Sequence, residues 1–168
     1  MPTNTTDFYL GNPNLKKVGA EIQFTKEQIS EYLKCKEDPV YFAMNYIKII
    51  SLDEGIVPFK MWDFQQELIE KFHKHRFNIA KLPRQTGKST TCVSYLLHYV
   101  LFNDNVNVGI LANKLSTARD LLGRLQLAYE QLPMWMQQGI ITYNKGSMEL
   151  ENGSKILAAS TSASAVRG

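Results

Sequence analysis

Gly87-Lys88-Ser89 is the tripeptide with the clearest chemical potential in this chain. It follows an apolar stretch at residues 77–82, which reads as a short strand, and precedes an apolar run to about Phe102, which reads as a helix. Gly87 at such a junction lets the backbone turn tightly. The first amides of the helix then point at an anion, with the helix dipole behind them. Lys88 adds a mobile positive charge for the β and γ phosphates, and the Ser89 hydroxyl is a ligand for Mg2+. The full phosphate-loop pattern has glycine five residues before Gly87, where this chain has Leu82. The competing reading is a surface turn with an incidental lysine. Arg84, Gln85 and Thr86 precede the glycine and Thr90 follows the serine. An arginine in this loop is within reach of a terminal phosphate and can stabilise transition-state charge. A solvated or purely structural arginine fits the position equally well.

Phe64-Gln65 lies upstream, with Gln65 23 residues before Lys88. An aromatic ring beside a carboxamide can stack on adenine and read its Hoogsteen edge, because the amide offers both a donor and an acceptor. Taken alone the pair is weak: such a phenylalanine is more often core, and Gln65 or Gln66 more often solvated. Trp62 either covers a base or packs as an ordinary aromatic. His73, His75 and His98 lack metal-ligand spacing. Lys71, Lys74, His75 and Arg76 form a small basic cluster that fits a solvated helix end as well as a DNA phosphate. Arg119 and Arg124 are similarly ambiguous, and Cys92 reads as core.

These residues need elements to hold them. Thr25-Lys26-Glu27-Gln28 fits a capping box, predicting a helix with Ile29, Tyr32 and Leu33 on its apolar face. Asp38-Pro39 predicts a second helix start, carrying Tyr41, Phe42 and Tyr46 towards a core. Residues 48–52 and 56–59 read as strands around a Gly55 turn. Residues 63–75 read as an amphipathic helix with Phe64, Leu68, Ile69 and Phe72 inward. Beyond the loop helix, residues 106–112 read as a buried strand and Ser116 as the cap of a helix to Leu132. Residues 140–143, 147–150 and 154–159 read as strands, the last two joined by an Asn152-Gly153 type I′ turn. The β-α-β-α-β succession predicts a parallel α/β sheet with a small antiparallel insertion.

Composition bounds the rest. The 168 residues are 44% hydrophobic and 21% charged, a globular mixture with material for a core. A net charge of +3 is too mild to imply nucleic-acid binding by itself. The longest apolar run, residues 93–102, is broken by Ser94, His98 and two tyrosines, so no membrane span is expected. The N-terminus shows no signal-peptide pattern. Cys35 and Cys92 form no CxxC motif, which fits a reduced intracellular protein.

Taken together, Phe64-Gln65, Arg84-Gln85-Thr86-Gly87-Lys88-Ser89, Val108-Gly109-Ile110-Leu111-Ala112, Asn144-Lys145-Gly146-Ser147 and Ala165-Val166-Arg167-Gly168 resemble the large terminase subunit of T-even-like tailed phages. The resemblance runs from about Tyr9 to Gly168. It implies a P-loop NTPase fold of the additional-strand, catalytic-glutamate type, a parallel sheet with helices on both faces. A small helical subregion would precede it. It also implies that Phe64 and Gln65 bind adenine, that Arg84 is a cis arginine finger, and that Lys88 and Ser89 contact phosphate and Mg2+. Leu82 and Arg84 are variations that family shows. The implied cofactors are ATP and Mg2+. The implied partners are double-stranded viral DNA, the portal protein, the small terminase subunit and other copies of the chain in a ring. The implied location is the host cytoplasm, transiently on the procapsid, with no membrane.

The expected organisation is a flexible leader over 1–20, a helical subregion over 21–60 and the first part of the ATPase over 61–168. An acidic Walker B strand, its catalytic glutamate and the family's nuclease domain are expected beyond Gly168. Without them the chain is expected to be an N-terminal piece that does not hydrolyse ATP alone, with unpaired edges on its loop strand. The rival readings are a helicase or restriction-type DNA translocase fragment, and a nucleotide-binding module without turnover. A Gln-Thr-Gly-Lys-Ser loop disfavours the former, whose loops usually read Gly-x-Gly-Lys-Thr.

Overall fold

The computed structural model describes residues 7–51 and 53–161. Residues 1–6, Leu52 and the 165–168 string lie outside that range. The chain folds as a mixed α/β structure of five α-helices, a two-stranded hairpin and a four-stranded sheet among the described residues.

Local signals account for the first half. Thr25 accepts from Gln28 N and Gln28 Oε1 accepts from Thr25 N, closing the capping box of α1, Lys26–Glu37. Its buried residue is Cys35, whereas Ile29 and Leu33 stay exposed, so the expected apolar face is only partly used. Tyr32 packs edge-on against Phe102. Asp38 caps α2, Pro39–Tyr46, with proline in the first turn, and Phe42 is fully buried. Strands β1, Lys48–Ser51, and β2, Gly55–Pro58, pair antiparallel around Gly55, whose φ of +75° suits glycine. Helix α3, Asp63–Lys74, buries Ile69 and Gln65.

The second half departs from expectation in several places. Residues 77–82 form no strand: they have no regular secondary structure and no ladder partner among the described residues, with Phe77 84% and Ile79 100% exposed. A strand is defined by its neighbour, and β3, Asn107–Ala112, pairs only with β6, Lys155–Ser160, among the described residues. Ala80 and Ile110 line a hollow of about 230 Å³ instead of meeting in a ladder. Between them in sequence comes α4, Lys88–Phe102, and β3 is followed by α5, Leu115–Glu130. Helix α5 begins after Lys114 without a side-chain cap, so Ser116 lies inside it.

The sheet order is β3-β6-β5-β4, with β4 spanning Ile140–Tyr143 and β5 spanning Ser147–Leu150. Only β3 and β6 are parallel, and the other two pairings are antiparallel. Helix α5 packs against β3 and β6, burying Ile110, Ile156 and Ala158. The opposite face leaves Leu111, Ile141 and Leu157 exposed, so among the described residues no helix covers them. The turn into β6 is not type I′, because Gly153 has φ +79° but Asn152 does not lie at positive φ. Asn152 instead donates to Val100 O and Asn103 O and accepts from Ser154 N.

Residues 7–20, expected as part of a loose leader, are tied to the sheet. Lys17 bridges Ile140, and Ile140 N donates to Lys16 O at 2.8 Å. Gln137 accepts from Lys16 N and donates to Asn14 O, both at 3.0 Å. Glu151 accepts from Gly139 N at 2.6 Å, Gly19 N at 3.1 Å and Lys16 Nζ at 3.2 Å. Burial opposes its charge, but these bonds outweigh burial and hold the carboxyl below the usual range. Its contribution is therefore present above the ordinary carboxylate pKa and is lost as pH falls through the lower folded value. Glu151→Ala is expected to speed tryptic cleavage at Lys16 and Lys17 several-fold, with Glu151→Gln intermediate. Equal cleavage rates would show that Glu151 does not anchor this segment.

Candidate phosphate-binding site

The loop at residues 83–87 delivers the chain into α4. Two of its residues lie in the left-handed region, Gln85 at φ 63° and Gly87 at φ 72°. Leu82 does not, so its backbone does not require the glycine of the full pattern. Gln85 carries a side chain there at a cost of about 1–2 kcal/mol. Pro83 O accepts from Thr86 Oγ1 at 3.0 Å and from Lys88 Nζ at 3.2 Å, so the lysine folds back over its own loop. No side chain caps α4. Its first backbone bond among the described residues is Thr91 N to Gly87 O, leaving the amides of Lys88, Ser89 and Thr90 for an outside acceptor.

Gln65 fastens this loop to α3. Its Oε1 accepts from Trp62 N at 3.0 Å and its Nε2 donates to Thr86 O at 3.1 Å. The residue is only 3% exposed, which overturns the solvated alternative. One N–H and one oxygen lone pair of the carboxamide remain for a further partner. A Cβ on Gly87 would lie 2.5 Å from Gln65 Nε2, so glycine is required by close approach as well as by φ.

A cavity of about 360 Å³ joins Phe64, Gln65, Gln85, Thr86, Gly87 and Thr90. Four further residues line it that spacing around the loop did not single out for this place or left undecided: Ile49, Phe59, Lys60 and, at the entrance to α3, Trp62. The β1–β2 hairpin supplies Ile49 and the segment after it Phe59 and Lys60, a long-range arrangement with no local sequence signal. Trp62 is 71% exposed, which overturns its reading as a packed aromatic.

Lys88 and Ser89 line a different hollow, the apolar one shared with Ala80 and Ile110. Arg84 is exposed and makes no hydrogen bond or ion pair among the described residues. A separate groove of about 660 Å³ lies away from the loop, between the end of α3 and α4, with Lys74, His75 and Arg76 in its lining. Lys71 of the basic cluster is paired with Glu67 at 2.6 Å. Among the described residues no three His, Cys, Asp or Glu side chains come together as a metal cluster. No helix there is long and apolar enough to cross a membrane. No protein-family model matches this chain.

Proposed function

We propose that the chain binds ATP with Mg2+ as part of a DNA-packaging motor of the terminase large-subunit type, driving double-stranded viral DNA into a procapsid. In that reading the fold is a P-loop NTPase of the additional-strand, catalytic-glutamate type. The observation that carries the proposal is the Gln65–Thr86 hydrogen bond, which ties an uncapped helix N-terminus to a cavity holding an aromatic ring and a carboxamide.

The free amides of α4 receive phosphate oxygens. Lys88 exchanges Pro83 O for the β and γ phosphates, and Ser89 supplies the chain's hydroxyl ligand to Mg2+. Phe64 offers a stacking face, and the unused donor and acceptor of Gln65 read the adenine edge. Arg84, unpartnered at the loop, acts on charge that develops in the transition state. The motor works in the host cytoplasm, as a ring of copies on the portal protein supplied with DNA by the small subunit.

Calorimetric titration with ATP, GTP and tripolyphosphate tests the site. ATP is expected to bind more tightly than GTP, and Gln65→Ala to erode that preference. Lys88→Ala is expected to weaken all three ligands by about 10- to 100-fold, the worth of a hydrogen bond to a charged group. Equal ATP and GTP affinity sinks the adenine assignment, and an unaffected Lys88→Ala sinks the phosphate assignment. Co-sedimentation with portal rings tests the motor assignment, and no association counts against it.

A further inference from the structure

The exposed indole at the mouth of this cavity is not accounted for by phosphate or metal binding. Trp62 precedes α3, is 71% exposed and lines the same cavity as Gln65 and Gly87. Its backbone is fixed: N–H donates to Gln65 Oε1, and its carbonyl accepts from Gln65 N at 2.9 Å and Gln66 N at 3.2 Å. Its side chain makes no cap bond. A ring of this size left mostly in water on a fixed backbone, with the tilted Phe64 ring beside it, still offers an open apolar face.

The neighbouring ring defines what fits. The Trp62 and Phe64 centroids are 6.4 Å apart, with planes at 51°. A planar base between two parallel rings needs two carbon contacts of about 3.5–4 Å each, or about 7–8 Å from ring to ring. Rotating the free indole and widening the gap by about 1 Å creates that slot. Phe64 is half-buried and supplies the fixed wall.

We propose that Trp62 closes over a bound nucleotide as the outer face of a base sandwich with Phe64, and that this stack selects purines over pyrimidines by area. The proposal rests on the nucleotide reading of the site. It assigns two selectivities to two residues: Trp62 distinguishes bicyclic from monocyclic bases, and Gln65 distinguishes adenine from guanine. Stacking has no hydrogen-bond pattern to read, so it cannot make the second distinction.

The chain has two tryptophans, and Trp135 packs edge-on against Tyr46 at 5.9 Å, so Trp135→Phe leaves Trp62 as the sole indole reporter. In that background, ATP and GTP are expected to quench and shift the emission, whereas tripolyphosphate leaves it unchanged. Trp62→Ala is expected to raise the Kd for ATP and GTP by about 5- to 150-fold, the worth of one base–aromatic stack. Its effect on CTP and UTP is smaller, tripolyphosphate binding is unaltered, and Trp62→Phe restores most of the affinity. Unchanged ATP affinity in Trp62→Ala, or unchanged sole-indole emission at saturating ATP, overturns the proposal. Weakened tripolyphosphate binding in Trp62→Ala also overturns it, since the substitution then acts through the loop. If the wild-type chain binds neither ATP nor tripolyphosphate, the nucleotide reading itself fails and this proposal with it.

Discussion

Gly87→Ala is expected to destabilise the chain by about 2–5 kcal/mol and, on the proposed nucleotide reading, to weaken ATP binding by displacing Gln65, through two separate costs. The first is conformational: alanine at φ 72° pays roughly 1–2 kcal/mol that glycine does not. The second is steric and polar. The new Cβ would stand 2.5 Å from Gln65 Nε2, so the carboxamide must move. A glutamine end usually swings aside easily, but this one is 3% exposed and held at both atoms, by Trp62 N and Thr86 O. Displacing it leaves buried polar groups unmatched, at about 1–3 kcal/mol. Urea unfolding and calorimetry of Gly87→Ala, with Gly87→Ala/Gln65→Ala as the second variant, separate the terms. Removing the obstructing carboxamide should recover the steric part but not the conformational part. If the double variant is no more stable than the sum of the two singles, Gln65 and Gly87 do not interact as the geometry requires.

That coupling marks how far the sequence carried the reading. Thr25, Asp38-Pro39 and Gly55 act on residues within a few positions, so the two first helices and the hairpin were legible from spacing alone. The turn into α4 was legible for the same reason, since glycine, lysine and serine are consecutive. Residues 77–82 look like a strand by composition, but strand formation needs a neighbour's backbone, and periodicity contains no information about one. The polar start of the chain reads as a leader by composition, yet Glu151 and Gln137 hold it from more than a hundred residues away. Gln65 falls between these cases. Its distance from Lys88 suggested a shared site, whereas its bond to Thr86 O emerges only once α3 and the loop are folded together. Similarly, nothing local showed that Ile49 and Phe59 would wall the cavity.

The second large effect is expected in acid and originates at the other end of the loop helix. His98 of α4 is 1% exposed, among the rings of Phe42, Tyr95 and Phe102. Its Nε2 lies 2.9 Å from Cys35 O, a group that can only accept, so the neutral ring carries its proton on Nε2. Nδ1 then holds a lone pair with no partner. Protonation would place a second N–H there, inside an apolar cluster without an acceptor. Burial is the main cause that pushes the pKa down to about 4, and His73 adds to it, while the Cys35 and Lys36 backbone and Asp38 pull the other way. The unfolded chain therefore binds this proton first as pH falls. The stability contribution is complete above the ordinary histidine value of about 6.5 and is lost progressively as pH falls through about 4. The loss amounts to roughly 3 kcal/mol by pH 4. His98→Gln keeps a donor for Cys35 O but does not titrate, so its stability should decline less over that interval. Urea unfolding of both proteins at pH 7, 5.5 and 4.5 isolates the histidine from carboxylates, which titrate in each. Parallel decline of the two curves would show that His98 is not the group that responds. A steeper wild-type curve would locate the acid response at the contact between α1 and the helix that carries Lys88 and Ser89.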